Sequence, residues 1–79
     1  MKHIIKTNQK IDIHYCVVII ELLPDNDIEK NAVRNCETFN ASEVEKNLVN
    51  DYIQSNAGLG GQVLEAEQTG NIFTLKVFV

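Results

Sequence analysis

The stretch Ile11-Asp12-Ile13-His14-Tyr15-Cys16-Val17-Val18-Ile19-Ile20-Glu21-Leu22 constrains this chain more than any other. It is dense in β-branched and aromatic residues, alternates at its start and reads as one strand. Its odd positions, Ile11, Ile13, Tyr15, Val17 and Ile19, make an unbroken apolar face. Its even positions carry Asp12, His14 and Cys16, then turn apolar at Val18, Ile20 and Leu22. A strand apolar on both faces calls for cover on both sides, at least in part. Residues 2–6 offer a short partner strand, with Thr7-Asn8-Gln9 as the turn.

The remaining elements follow from turn and helix signals. Pro24-Asp25-Asn26-Asp27 marks a turn. Residues 28–38 read two ways. Ile28, Ala32, Val33 and Cys36 would share a helical face, with Asp25 or Asp27 as cap. The strand-like ending Val33 to Phe39 instead favours a polar edge strand folding back on the long strand as a hairpin. A helix then starts with Asn40 as cap, Glu43 as reciprocal acceptor and Phe39 stapled onto Val44. Val44, Leu48, Val49, Tyr52 and Ile53 form its apolar stripe, and Gly58 fits a left-handed C-terminal cap. Gly70-Asn71 suits a type II′ hairpin turn. Folding about it sets Leu64 opposite Val77, Ala66 opposite Leu75, Glu65 opposite Lys76 and Val63 against Phe78. The expected fold is α+β: an antiparallel sheet of four or five strands, order ββαββ, with one helix on one face.

With 79 residues there is room for one domain, and 44% hydrophobic with 23% charged residues argues against disorder. The net charge is −4 and Arg34 is the only arginine, which disfavours direct nucleic-acid binding. The opening Met1-Lys2-His3-Ile4-Ile5-Lys6 is too short and polar for a signal peptide, and no apolar run approaches a membrane span. The expected setting is therefore cytoplasmic, with reduced thiols. Asn40-Ala41-Ser42 matches a glycosylation sequon by chance.

Cys16 and Cys36 are the first chemical candidates. A hairpin centred near Asn26 would make them cross-strand neighbours close enough for a disulfide; as plain small apolar residues they need no bond. His14, Cys16 and Cys36 would form a thiol or three-ligand metal cluster, but the spacing of CxxC or HExxH is missing. Gly58-Leu59-Gly60-Gly61 follows a helix, whereas phosphate-cradling loops precede one. No catalytic set emerges and no cofactor is expected. Glu43, Glu45 and Asp51 give the helix an acidic exposed face. One helix covers one sheet face, so Val18, Ile20, Leu22, Val63, Ile72 and Phe78 would be left on the other as an interface.

The Met1-Lys2…Ile5-Lys6 opening, the long aliphatic strand, the Phe39–Asn40 entry to a Ser42-x-x-Glu45 helix and the Gly58-Leu59-Gly60 exit resemble small phage-encoded anti-CRISPR proteins that act on type I surveillance complexes. Residues 33–79 resemble that group in layout. The resemblance implies a non-enzymatic inhibitor that binds a Cas backbone or nuclease subunit and blocks target DNA; it carries over no residue role. The expectation is a protein-binding module whose contacts are the acidic helix face (Glu43, Asp51) or the second sheet face (Ile20, Phe78). The alternatives are a homodimer burying its second sheet face and a thiol or metal site at His14, Cys16 and Cys36.

Overall fold

The computed structural model describes residues 1–79 as β1 (Lys2–Lys10), β2 (Tyr15–Leu23), α1 (Asp27–Glu37), α2 (Glu43–Ala57), β3 (Gln62–Thr69) and β4 (Ile72–Phe78). The strands form one antiparallel sheet in the order β1-β2-β4-β3, and both helices pack on the same face of it. The class is α+β, but the order ββααββ corrects the expected ββαββ. There are two helices, not one, and no fifth strand.

The expected edge strand within 28–38 is α1. Its start is set by Asn26, not Asp25 or Asp27. Asn26 is extended (φ −143°, ψ 174°), its side-chain oxygen accepts from the Glu29 amide at 2.9 Å, and Asp27 and Glu29 occupy the first turn. Anionic residues there complement the exposed amides. Ala32 and Val33 supply the buried face. The β-branched and aromatic residues at 38–39 do not extend a strand. They stop the helix, with Phe39 at φ +59°.

α2 begins at a capping box on Ser42, not at Asn40. The Ser42 hydroxyl accepts from the Glu45 amide at 3.2 Å, and Glu45 accepts from the Ser42 amide at 3.0 Å. Glu45 also accepts from Asn35 Nδ2 at 2.9 Å, which fixes α2 against α1. The expected Phe39–Val44 staple is absent: the two side chains are 95% and 79% exposed. Val49, Ile53 and Ala57 are buried, and Leu48 and Tyr52 pack beside them. Gly58 is right-handed at φ −75°, and the left-handed residues are Leu59 and Gly60.

β1 runs through the expected Thr7-Asn8-Gln9 turn, and the chain reverses at 11–14 instead. There the amides of Ile11 and Asp12 donate to the Tyr15 carbonyl at 3.0 and 3.3 Å, and Asp12 Oδ1 accepts from the His14 amide at 2.9 Å. The first four residues of the expected long strand are therefore a turn. Removing Asp12 and His14 from β2 changes which face is apolar. The even set becomes Cys16, Val18, Ile20 and Leu22, all buried, whereas the odd set is interrupted by Glu21. In β4 the odd set Phe73, Leu75 and Val77 is equally pure and buried, while the even set contains Thr74 and Lys76. The helices cover the two pure faces. Val18, Ile20, Leu22 and Val63 therefore belong to the core and not to the uncovered face.

The β3–β4 hairpin keeps Ala66 opposite Leu75 and Glu65 opposite Lys76, and Gly70 takes the positive φ (+59°) that its turn position demands. An extra residue at Leu64 shifts the register, so Val63 pairs with Val77 and Gln62 with Phe78. A second bulge at Lys6 shifts β1 against β2. Bulges on both edge strands increase the local twist.

Candidate binding surface

The face of the sheet away from the helices is left without cover. Strand pairing arranges it in rows. Lys2 lies beside Leu23; Ile4, Glu21, Ile72 and Thr69 form the next row; Thr7, Ile19, Thr74 and Glu67 the third; Gln9, Val17, Lys76 and Glu65 the fourth; Tyr15, Phe78 and Gln62 the last. The central strands thus present Val17, Ile19, Leu23, Ile72 and Phe78. Ile72 and Phe78 are 38% and 40% exposed, and Ile4 on the edge is 50% exposed.

The charges on this face are sorted by edge. Lys2 and Lys6 stand on β1, and Glu65 and Glu67 on β3. The inner charges have partners within the chain: Lys6 Nζ is 3.2 Å from Glu21, and Lys76 Nζ lies 4.8 Å from the centre of the Tyr15 ring, opposite Glu65. Phe78 is held between His14, stacked at 5.5 Å, and Tyr15, edge-on at 5.6 Å. A shallow hollow of about 280 Å³ lies between Ile11, Val17, Glu65, Glu67 and Lys76.

Of the four expected contact residues, Phe78 lies on the open sheet face, Glu43 and Asp51 on the exposed side of α2, and Ile20 in the core. Phe78 is on the open face, but Ile20 is 0% exposed beneath the helices, so the pair Ile20 and Phe78 is split across the sheet. Glu43 and Asp51 are both exposed on α2, with Glu43 3.6 Å from Lys46. Glu45, the third acidic residue of that helix, is turned inward by the capping box and Asn35, and those hydrogen bonds hold its carboxyl below the usual carboxylate range. Sequence reasoning missed Val17, Ile19 and Leu23 as surface residues. The signal was present: Glu21, Thr74 and Lys76 all mark the sheet face that water reaches.

The thiol or metal constellation does not assemble. His14 sits in the exposed turn, Cys16 is buried on the helix side of β2, and Cys36 is in the last turn of α1 rather than in a strand opposite Cys16. Both thiols are free. Burial, and behind it the Glu45 charge, pushes the Cys36 thiol up. Cys36 and Phe73 line a groove of about 510 Å³ between the helices and β3, with Val49, Lys46 and Glu67 at its walls.

A polar knot ties β1 to the helices. The Met1 ammonium is 3.0 Å from both Asp25 and Glu29, and the Asp25 amide donates to Glu29 at 2.8 Å. The Tyr52 hydroxyl donates to the Met1 carbonyl at 3.1 Å. No helix is long and apolar enough to cross a membrane. No family model, curated protein or solved structure matches the chain.

Proposed function

We propose that this chain is a non-catalytic protein-binding module that works by contact through the open face of its sheet. One observation carries the reading. Both helices cover one face, and Val17, Ile19, Leu23, Ile72 and Phe78 stand on the other with nothing over them. Apolar side chains on a sheet face that no helix covers are a common mark of a contact surface. The aromatic group at one end, Tyr15 and Phe78 with His14, is the kind of anchor that dominates protein interfaces. The resemblance to anti-CRISPR proteins makes a type I surveillance complex the first partner to try.

The test is retention of purified type I surveillance complexes on the immobilised protein, with Ile19→Lys for the sheet face and Asp51→Lys for the helix face. Retention lost with Ile19→Lys and kept with Asp51→Lys supports the reading, provided both variants melt cooperatively. Retention lost only with Asp51→Lys moves the contact to α2 and overturns the sheet-face reading. Failure to retain any complex overturns the inhibitor reading.

A further inference from the structure

We propose that the free edge of β3, with the groove beside it, docks an extended basic segment of another protein, which joins the sheet as a fifth strand. This site is separate from the open face and does not depend on it. Backbone groups define it first. The Leu22 amide donates to the Asn71 carbonyl at 2.8 Å, so Asn71, Phe73 and Leu75 turn their backbone groups toward β2, and Ile72, Thr74 and Lys76 turn theirs toward β3. The partners of those three on β3 are Thr69, Glu67 and Glu65. The intervening Ala66 and Gln68 therefore aim their amides and carbonyls outward, at the end of the order β1-β2-β4-β3, where no strand follows. Such an edge is a ready template for one more strand.

Side chains select what docks. Ala66 lies opposite Leu75 on the helix side of the sheet, yet it is exposed. The groove of about 510 Å³ passes beside it, with Val49 and Phe73 in its lining. An adjoining hollow of about 380 Å³ shares Asn50, Ala66 and Phe73 with the groove. A strand paired to β3 places the side chain opposite Ala66 on this same helix side. Because Ala66 offers only a methyl group, a leucine-sized chain reaches over it into the groove. The residues before and after project to the other side, beside Glu65 and Glu67. Neither glutamate is in an ion pair. Lys76, opposite Glu65, lies over the Tyr15 ring at 4.8 Å, and Lys46 on the groove wall is 3.6 Å from Glu43. Opposite charges on neighbouring strands support pairing, so the matching segment reads basic, apolar, basic.

The same charges say what does not dock. Two copies joined edge to edge about Ala66 would set Glu65 of one opposite Glu67 of the other, and like charges directly opposite are destabilising. The β1 edge of a second copy would dock head to tail, leave further edges open and grow into a filament. The β1 edge itself is basic at Lys2 and Lys10 and broken by the bulge at Lys6, which disfavours the basic segment there. Nucleic acid is repelled by the two glutamates. The occupant that fits is a basic strand from a different protein, held by main-chain bonds to Ala66 and Gln68 and anchored by one apolar side chain.

Fluorescence anisotropy with two labelled short peptides tests this, one alternating lysine with leucine and the other glutamate with leucine. Wild type should bind the first and not the second. Binding should slow amide hydrogen exchange at Ala66 and Gln68, followed by NMR, about tenfold or more. Glu67→Lys should weaken binding about tenfold. Ala66→Pro should abolish it, because it removes an outward donor that the fold does not use. Ile19→Lys on the open face and Glu43→Gln on α2 should bind within about twofold of wild type. Cooperative melting confirms that each variant is folded, and if Ala66→Pro is not, the exchange data and Glu67→Lys decide. No binding of the lysine–leucine peptide overturns the proposal, as does equal binding of both peptides. Unchanged exchange at Ala66 and Gln68, or a loss with Ile19→Lys as large as with Glu67→Lys, overturns it too. Filaments formed by the wild type without peptide would give the edge to a second copy and overturn it as well.

Discussion

Nδ1 of His3 in β1 lies 2.7 Å from the hydroxyl oxygen of Tyr52 in α2, and the two rings meet edge-on at 5.5 Å. The phenol has one proton and gives it to the Met1 carbonyl, so the imidazole nitrogen is the donor in this contact. Tyr52 thus satisfies a donor on β1 and an acceptor at Met1. Tyr52→Phe keeps the ring and strands both groups at a half-buried position. The expected loss is about 1–2 kcal/mol of unfolding free energy in urea titration. A loss much below that range would show that water replaces the hydroxyl.

The same corner predicts a pH dependence with two limbs. Donating hydrogen bonds to Asp25, then to Glu29, raises the Met1 ammonium above its ordinary 8.0. The Met1 ammonium lowers Asp25 below 3.8. The Asp25 amide first, and the ammonium second, lower Glu29 below 4.5. The two carboxylates therefore contribute stability that is present above pH ~4.5 and is lost as pH falls through their depressed folded values. The ammonium's share is complete below pH ~8 and is lost as pH rises through its elevated folded value. Thermal melts from pH 2 to 10 should fall at both ends, and the Asp25→Asn/Glu29→Gln double variant should flatten the alkaline limb and lessen the acid one, where Glu45 keeps its own share. A variant profile parallel to the wild type would place the pH sensitivity elsewhere.

The parts of this fold that sequence reasoning reached are those where short-range chemistry acts alone. Gly70-Asn71 fixes its turn, and the turn sets Ala66 opposite Leu75 and Glu65 opposite Lys76. What escaped depended on where a strand begins. Counting Asp12 and His14 as strand residues made the odd face of β2 look pure and the even face mixed, which put Ile20 on the outside. One Asx-type contact, from Asp12 to the His14 amide, moves the start to Tyr15 and inverts the sheet. Residues 28–38 escaped for a related reason. Thr38 and Phe39 suit a strand locally, but Asn26 had already committed the segment to a helix. For the candidate surface, Phe78 was legible and Val17, Ile19 and Leu23 were not, because their assignment followed from that same inverted face.

Neighbouring isoleucines test the inversion directly. Ile20 is 0% exposed among helix residues, whereas Ile19 is half-buried on the open side. Ile20→Ala should cost about 2–5 kcal/mol through lost burial and a residual cavity. Ile19→Ala should cost roughly 1 kcal/mol or less in the monomer, since surface changes usually fall near that size. Equal losses at the two positions would contradict the assignment of faces.

The thiols should behave as two unpaired groups of unequal access. Denatured without reductant, the protein is expected to release two reactive thiols. In the native state Cys16 is shielded at 8% exposure, and Cys36 reacts first but slowly at pH 7, because its raised pKa keeps it protonated. Its rate should climb as pH passes above the ordinary thiol range. Fewer than two thiols under denaturation would establish a bond between residues that occupy different elements here.

Gly61 is the position least able to accept a side chain. It follows the left-handed pair Leu59 and Gly60 and leads into β3, and a Cβ placed on it would collide with the carbonyl oxygen of Phe78. That obstacle is backbone at the end of β4, so no rotamer change relieves it. To admit a methyl group, the loop after α2 must lift away from β4, which breaks the Gln54 clamp on the Gly61 carbonyl (2.8 Å) and the Val63 amide (3.0 Å). It also displaces Phe78, the aromatic anchor of the open face. Gly60 offers the contrast. Its added Cβ would meet nothing within 4 Å, but its φ of +78° makes any side chain strained. Gly60→Ala should therefore cost about 1 kcal/mol, whereas Gly61→Ala should cost roughly 2–4 kcal/mol and weaken whatever contact Phe78 makes. Urea titrations of the two variants beside the wild type decide the order. A Gly61→Ala protein as stable as Gly60→Ala would mean that the β3–β4 end yields more easily than its hydrogen bonds imply.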